Sequence, residues 1–251
     1  MFSKIFNLIK ESYESDKIQR QKALDIISKA KKYIDMAYWI PTKLTVNGKV
    51  YEGFKYYTNT PFKLKIYYLY PNNGDNSLKN IENSNISGGV QGNDTIVIFS
   101  HRDKSEFMTS SNTPYFDKYK ALDYMKIDFN SPLVEDTLFH ELIHIIDKIE
   151  RPNIPLPKID TYRSYINSPA ELNAFQQEMI QSLDDLLKNK NSKQIKHLLN
   201  TLNPLKILKS ILDKQGLFQN LTDENTKKYG RRIYKYMVGK YEEKLKEEQG
   251  I

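Results

Sequence analysis

The spacing of apolar residues changes twice along the chain, and this change constrains the fold more than any single motif. Residues 2–37 repeat apolar side chains at roughly every 3.6 positions, which predicts a helix. Residues 41–100 carry short alternating runs separated by turn residues, which predicts strands. Helical spacing returns after residue 131. Strands followed by helices are typical of an α+β protein rather than of a doubly wound sheet.

Turn residues set the expected boundaries of the strands. Asn47-Gly48 stands between two β-prone runs and predicts a hairpin. Residues 62–70 alternate and stop at Pro71, and Gly92-Asn93-Asp94 predicts a second hairpin. Further helices are expected over residues 132–149, 169–188, 193–213 with a break near Pro204, and 222–248.

Composition excludes several kinds of protein. The chain has no cysteine, so disulfides and thiolate metal sites are excluded, and any metal must be held by His, Asp or Glu. No apolar window reaches about 18 residues, and the first residues lack an apolar signal segment. We therefore expect no membrane span, no signal peptide and a cytoplasmic or virion-associated location. The net charge of +7 is spread among interleaved lysine and glutamate, which favours a solvated surface over an acidic partner.

The stretch LFHELIHIID, residues 138–147, holds two of the four histidines of the chain. On a helical wheel at about 100° per residue, the polar side chains of residues 132–149 share one stripe, and apolar side chains fill the remaining arc except for Leu133. A solvent-facing stripe is usually built from Lys, Glu, Gln and Ser. This stripe is built from Asp136, Thr137, His140, Glu141, His144, Asp147 and Lys148.

The spacing of the two histidines predicts a zinc site. His140 and His144 stand at i, i+4 and project from adjacent turns, so both imidazoles can reach one ion. Glu141 follows the first histidine, where its carboxylate can contact a water on the metal without being a ligand. This is the HExxH arrangement of two ligands and a general base. The alternative is a buried helix whose histidines are satisfied by hydrogen bonds.

A zinc ion with one open position needs a third protein ligand. Glu150 stands ten residues after His140, where one class of zincins places a third histidine, and Asp147 stands where that class places a glycine. A metzincin-type site is therefore excluded. His101 and His197 are the other histidines and are weak candidates.

Glu171 is the favoured third ligand. It follows Ser168-Pro169, which predicts a helix start and puts Glu171 on the first turn. The alternative is that Ser168 and Glu171 form a capping box, in which the carboxylate bonds back to the backbone of Ser168. Glu178, one heptad later, is the reserve ligand.

HELIHIID, followed 27 residues after His144 by ELNAF, resembles the gluzincin metallopeptidases. More narrowly, it is similar to the HExxHxxD…Tyr…ExxA pattern of the peptidase domain of anthrax lethal factor and its relatives, over about residues 86–180. The resemblance implies a zincin-like fold with a small mixed or antiparallel sheet and an active-site helix pair. It implies His140, His144 and Glu171 as zinc ligands and Glu141 as the base. The composition, rich in Lys, Asn and Ile, is similar to that of phage- and virus-encoded proteins.

The resemblance also implies residues that assist the reaction. Asp147 would orient a metal-bound histidine. Tyr165, or else Tyr162, would donate a hydrogen bond to the oxyanion. An edge strand before the motif helix, within residues 85–100, would hold the substrate in extended form. The residues expected in that strand are Thr95, Ile96, Val97 and Ile98.

We therefore expect one domain over residues 1–251, with long N- and C-terminal helices. It would comprise a helical segment over 1–40, the sheet and metal-site helices over 41–189, and a helical segment over 190–251. The expected function is that of a zinc-dependent endopeptidase acting on protein or peptide substrates. The alternative is a structural or virion-associated protein with a degenerate, non-catalytic metal-binding zincin domain, whose terminal helices assemble with partner proteins.

Basic residues in the last helix raise nucleic-acid binding as a further alternative. They are Lys227, Lys228, Arg231, Arg232 and Lys235. Tyr229, Ile233, Met237 and Tyr241 recur at i, i+4 in the same segment, and such a stripe is more simply a core face whose neighbouring charges remain in water. Nucleic acid is therefore not the expected partner.

Overall fold

The structure of the chain is a computed structural model. The residues that it describes are 2–34, 38–58, 63–70, 88–100, 123, 125–126, 129–153, 161–201, 206–207, 209 and 218–250. They form a mixed α+β protein with a five-stranded mixed sheet and six α-helices, so the α+β prediction is confirmed.

The chain divides into two compact units. The sheet unit comprises residues 22–149, and the helical unit comprises residues 1–21 and 150–251. The first helix, α1 (Phe2–Ile34), contributes residues to both. These units do not follow the boundaries at residues 40 and 190 expected from sequence, and the single-domain organisation stays a prediction.

The sheet unit contains all five strands of the described residues. They are β1 (Ile40–Val46), β2 (Lys49–Tyr57), β3 (Lys65–Tyr70), β4 (Gly88–Gln91) and β5 (Thr95–Phe99). Their order in the sheet is β1-β2-β3-β5-β4. Neighbouring strands are antiparallel except β3 and β5, which pair in parallel with Ile66 opposite Ile96.

Both predicted hairpins are present. β1 and β2 are joined at Asn47-Gly48, whose φ angles of 50° and 79° lie in the left-handed region that such a two-residue turn requires. β4 and β5 are joined through Gly92, whose φ is 64°. Turn chemistry acts over neighbouring residues, which is why the sequence predicts these hairpins.

The expectation that residues 95–98 form an edge strand is wrong. β5 pairs with β3 on one side and with β4 on the other, so the edge of the described sheet is β4. The three successive residues Ile96, Val97 and Ile98 are all buried. A continuous apolar run of this kind is typical of an inner strand with both faces covered, and this signal could have placed β5 correctly.

The core of the sheet unit has an aromatic cluster on one face of the sheet. The Trp39 ring lies 5.2 Å from the Tyr56 ring and 5.3 Å from the Phe129 ring, centroid to centroid, and Tyr68 lies 5.4 Å from Phe129. All four side chains are buried. A smaller cluster is centred on Tyr51, Leu69 and Val97.

The motif helix is α2 (Pro132–Glu150), which matches the predicted helix over 132–149. The helical unit adds α3 (Tyr162–Ile166), α4 (Pro169–Leu187), α5 (Ser192–Thr201) and α6 (Asp223–Gln249). The helices predicted over 169–188 and 222–248 are thus confirmed. Beyond Thr201, most of the helix predicted to reach residue 213 lies outside the described residues. None of the described helices is long and apolar enough to cross a membrane.

The helical unit has an apolar core and a buried polar network. Tyr229, Ile233 and Met237 are buried in that core, so the interpretation of the α6 stripe as a core face is confirmed for these three. The buried carboxylate of Asp16 on α1 accepts hydrogen bonds of 3.1 Å from the side-chain amides of Gln176 and Gln177 on α4. Burial raises the pKa of the Asp16 carboxyl, and these bonds offset part of that cost and hold α1 against α4.

Candidate metal centre

The helix α2 owes its start and its burial to its own sequence. Pro132 is its first residue, a position where the missing backbone N–H costs no intrahelical bond. The carbonyl of Ser131 accepts from the N–H of Glu135 at 3.2 Å. Its apolar residues from Val134 to Ile146 are buried, which holds the helix rigidly in the sheet unit.

His140 and His144 lie side by side on this helix. Their Nε2 atoms are 3.0 Å apart, and their rings meet edge to face at 77° with centroids 4.7 Å apart. A tetrahedral zinc ion separates two imidazole nitrogens by about 3.3 Å. The pair therefore fits two ligands of one ion with a small adjustment. At the same distance, one ring could also donate a hydrogen bond to the other, depending on the tautomers.

Three residues of the polar stripe of α2 are buried, although Asp136 at its start is exposed. His140 is 8% exposed, Glu141 9% and Asp147 2%. Burying ionisable side chains costs free energy unless they have partners, so a helix with a purely structural role would not be expected to bury three of them together. This burial distinguishes the stripe from a solvated face.

The edge hairpin of the sheet lies along α2. Lys148 near the end of the helix donates to the carbonyl of Gly92 in the β4–β5 turn at 2.9 Å. Gly88, at the start of β4, lies against Thr137 and Glu141. The edge strand β4 therefore runs next to the glutamate predicted to be the base.

Glu171 occupies the first turn of α4 in the helical unit and is buried. The Ser168 hydroxyl accepts from the backbone N–H of Glu171 at 3.4 Å, which is one half of a capping box. The other half would need the N–H of Ser168, which instead donates to the carbonyl of Tyr165 at 3.0 Å. The backbone thus supplies the bond that the capping alternative assigned to the Glu171 carboxylate.

Tyr229 of α6 lies near both candidate carboxylates of α4. Burial raises the pKa of the Tyr229 phenol well above its usual range, and the negative charges of Glu178 and Glu171 raise it further, against the opposing charge of Arg232. Tyr229 therefore stays protonated and can act only as a neutral phenol. Sequence reasoning assigned it to the core alone, because its proximity to α4 depends on the packing of α6.

Both candidate tyrosines for the oxyanion belong to α3, which begins with a complete capping box between Thr161 and Ser164. Tyr165 is half-buried and packs against the core of the helical unit. The side chain of Tyr162 lies outside the described residues, so the preference for Tyr165 stays a prediction.

The two remaining histidine candidates gain no support. His197 is exposed on α5. His101 lies outside the described residues.

Comparisons with models of protein families, with curated proteins and with solved structures find no match. A functional assignment therefore has to be argued from the side chains themselves.

Proposed function

We propose that this protein is a zinc-dependent endopeptidase of the gluzincin type, with a zincin-like arrangement of sheet and metal-site helices. The observation that carries the proposal is the pair of Nε2 atoms 3.0 Å apart on a buried helix, with Glu141 beside them. We assign His140, His144 and Glu171 as the three ligands, each of which would offer one ligand atom to the metal ion.

The chemistry of these donors favours zinc. Two imidazoles and one carboxylate are the ligand set of many catalytic zinc sites, which keep a fourth position open. Imidazole suits zinc and other transition metals, whereas magnesium and calcium prefer oxygen ligands. Asp147, buried on the same helix, would orient a ligating histidine.

When bound, zinc supplies a Lewis acid that polarises the scissile carbonyl and makes water more acidic. The carboxylate of Glu141 accepts the proton of the attacking water and passes it to the leaving amine nitrogen. Tyr165, or else Tyr162, donates a hydrogen bond to the developing oxyanion. Glu141 is buried, and electrostatic interactions strengthen away from water, so its carboxylate interacts more strongly with the charges that develop during the reaction.

We assign the substrate strand to β4 rather than to residues 95–98. An extended peptide can add to the edge of a sheet through main-chain hydrogen bonds, and β4 is the edge strand next to Glu141. Residues 95–98 support this edge from inside the sheet, since they pair with β4.

The decisive experiment is Glu141→Gln, assayed against a peptide library with zinc content measured in parallel. The variant should retain zinc at the wild-type stoichiometry and lose cleavage, because the amide cannot accept the water proton. Glu150→Gln, at the exposed end of the same helix, is the matched control and should cleave normally. A zinc-replete Glu141→Gln protein that still cleaves peptides would contradict the proposal. A wild-type protein that holds zinc and cleaves nothing would favour the non-catalytic alternative.

A further inference from the structure

Gly88 is a glycine whose role is steric. The φ angle of Gly88 is not positive, so residues other than glycine can adopt its backbone conformation. A Cβ at this position would lie 2.7 Å from the Cγ2 methyl of Thr137 and 2.9 Å from the carbonyl oxygen of Val97. It would also lie 3.5 Å from Cγ of Glu141. Only glycine allows β4 to approach α2 this closely.

The next residue provides a natural comparison. A Cβ on Gly89 would meet no described atom within 4 Å, because alternate residues of a strand point to opposite faces. The two adjacent glycines therefore differ in one respect: Gly88 faces α2 and the glutamate, whereas Gly89 faces open space. An alanine costs the same backbone entropy at both positions, so any difference between them reports the contact with α2.

We propose that Gly88 is a positioning residue of the hydrolytic site, an inference that rests on the proposed function. By lacking a side chain, it lets the edge strand lie directly against Glu141. This sets the distance between the base and a peptide paired with β4. The outer edge of β4 is not paired with any strand that the structure describes. β4 can therefore be displaced without breaking the pairing of the inner strands. The class of substrate implied is an extended peptide bound through its main chain.

The test compares the activity of Gly88→Ala with that of the wild type and of Thr137→Ser, and its stability with that of Gly89→Ala. In Gly88→Ala the added methyl pushes β4 away from Glu141, and kcat should fall by about 10- to 100-fold, as expected for a displacement of the reacting groups by a fraction of an ångström to one ångström. KM should change little, because main-chain bonds to the outer edge of β4 remain. Zinc stoichiometry should equal that of the wild type. Thr137→Ser alone should match the wild type in kcat, KM and zinc stoichiometry. Gly89→Ala lies in the strand assigned to the substrate, so it serves only as the stability control and should leave the thermal unfolding of the metal-free protein unchanged.

Thr137→Ser provides the rescue. It removes the Cγ2 methyl that the new Cβ would meet and keeps the hydroxyl that donates to the carbonyl of Leu133 at 2.8 Å. Gly88→Ala/Thr137→Ser should recover part of the lost kcat, the remainder reflecting the Val97 carbonyl. The same double-mutant cycle can be followed by thermal unfolding of the metal-free protein. Gly88→Ala should destabilise the protein less when residue 137 is serine than when it is threonine. This second measurement does not depend on activity. If Gly88→Ala alone does not fold, the double variant is measured in its place.

The outcomes separate the inference from the proposed function. If the wild type cleaves peptides and Gly88→Ala cleaves them with the kcat of the wild type, the inference is overturned and the proposed function stands. Loss of activity in Gly88→Ala that follows loss of zinc, or that Thr137→Ser does not relieve, also overturns it. A wild-type protein that cleaves nothing overturns the proposed function and, with it, the inference.

Discussion

At the scale of single residues, the interpretation of Glu171 depends on one backbone N–H group. The Ser168 hydroxyl caps the start of α4, and the Ser168 N–H donates to the carbonyl of Tyr165, which takes the place that a capping box gives to the Glu171 carboxylate. The sequence motif is the same for a capping box and for a ligand at this position. The local fold of α3 against the start of α4 separates these two, because it supplies the backbone bond of the capping box. Glu171 as the metal ligand stays a prediction.

We predict that Glu171→Ala lowers zinc affinity by at least about 100-fold, since even residues outside the ligand shell contribute up to that factor. Competition with a chelating dye measures this. Glu178→Ala should leave the affinity unchanged. Ser168→Ala should retain zinc while lowering the free energy of unfolding by about 1 kcal/mol through loss of the cap. Unchanged zinc affinity in Glu171→Ala would remove this residue from the ligand set.

At the scale of elements, the contact between α1 and α6 depends on a glycine in the middle of a helix. A Cβ on Gly239 would lie 2.5 Å from Cγ of Tyr13, an atom close to the backbone of α1 that cannot move aside easily. The Tyr13 ring also packs against the Tyr236 ring, with centroids 5.0 Å apart. Gly239 therefore allows the two helices to pack closely.

Gly239→Ala should accordingly destabilise the protein, although the same change in a free helix stabilises it by about 1 kcal/mol. Overpacking at a buried contact costs about 1–3 kcal/mol, so we expect a net loss of about 1 kcal/mol in the free energy of unfolding. Urea denaturation measures it. In a Tyr13→Ala background, Gly239→Ala should become neutral or stabilising. If Gly239→Ala alone stabilises the protein, α1 and α6 can move apart without loss of stability, and the close packing at Gly239 is not required.

At the scale of the whole molecule, the free energy of unfolding should depend on pH through the carboxyl group of Glu243. Burial acts to raise the pKa of this carboxyl, but hydrogen bonds from Lys17, Lys240 and Tyr13 outweigh it and hold the pKa at about 2. The ordinary value is 4.5. Because the folded-state pKa is depressed, the contribution of Glu243 to stability is fully present above pH 4.5 and is lost as the pH falls towards 2.

The difference in unfolding free energy between wild type and Glu243→Gln should therefore be constant from pH 7 to about 5 and shrink between about pH 4.5 and 2. Denaturant titrations at a series of pH values measure it. Glu247→Gln, which removes an exposed partner of Lys244, is the control and should have little effect at any pH. A difference that grows as the pH falls would contradict the assignment.

The sequence alone determined the features that depend on neighbouring residues. The bounds of α2, α4 and α6, the hairpin at Asn47-Gly48 and the adjacency of His140 and His144 follow from helical spacing and turn chemistry, which act within a few positions. Only the tertiary structure decided the features that join distant segments. β5 is an inner strand because β3, about 30 residues earlier, pairs with it in parallel, an arrangement that the local sequence does not encode uniquely. Gly88 faces Glu141 because the edge strand packs on the motif helix, and a steric requirement between two such segments leaves no local pattern.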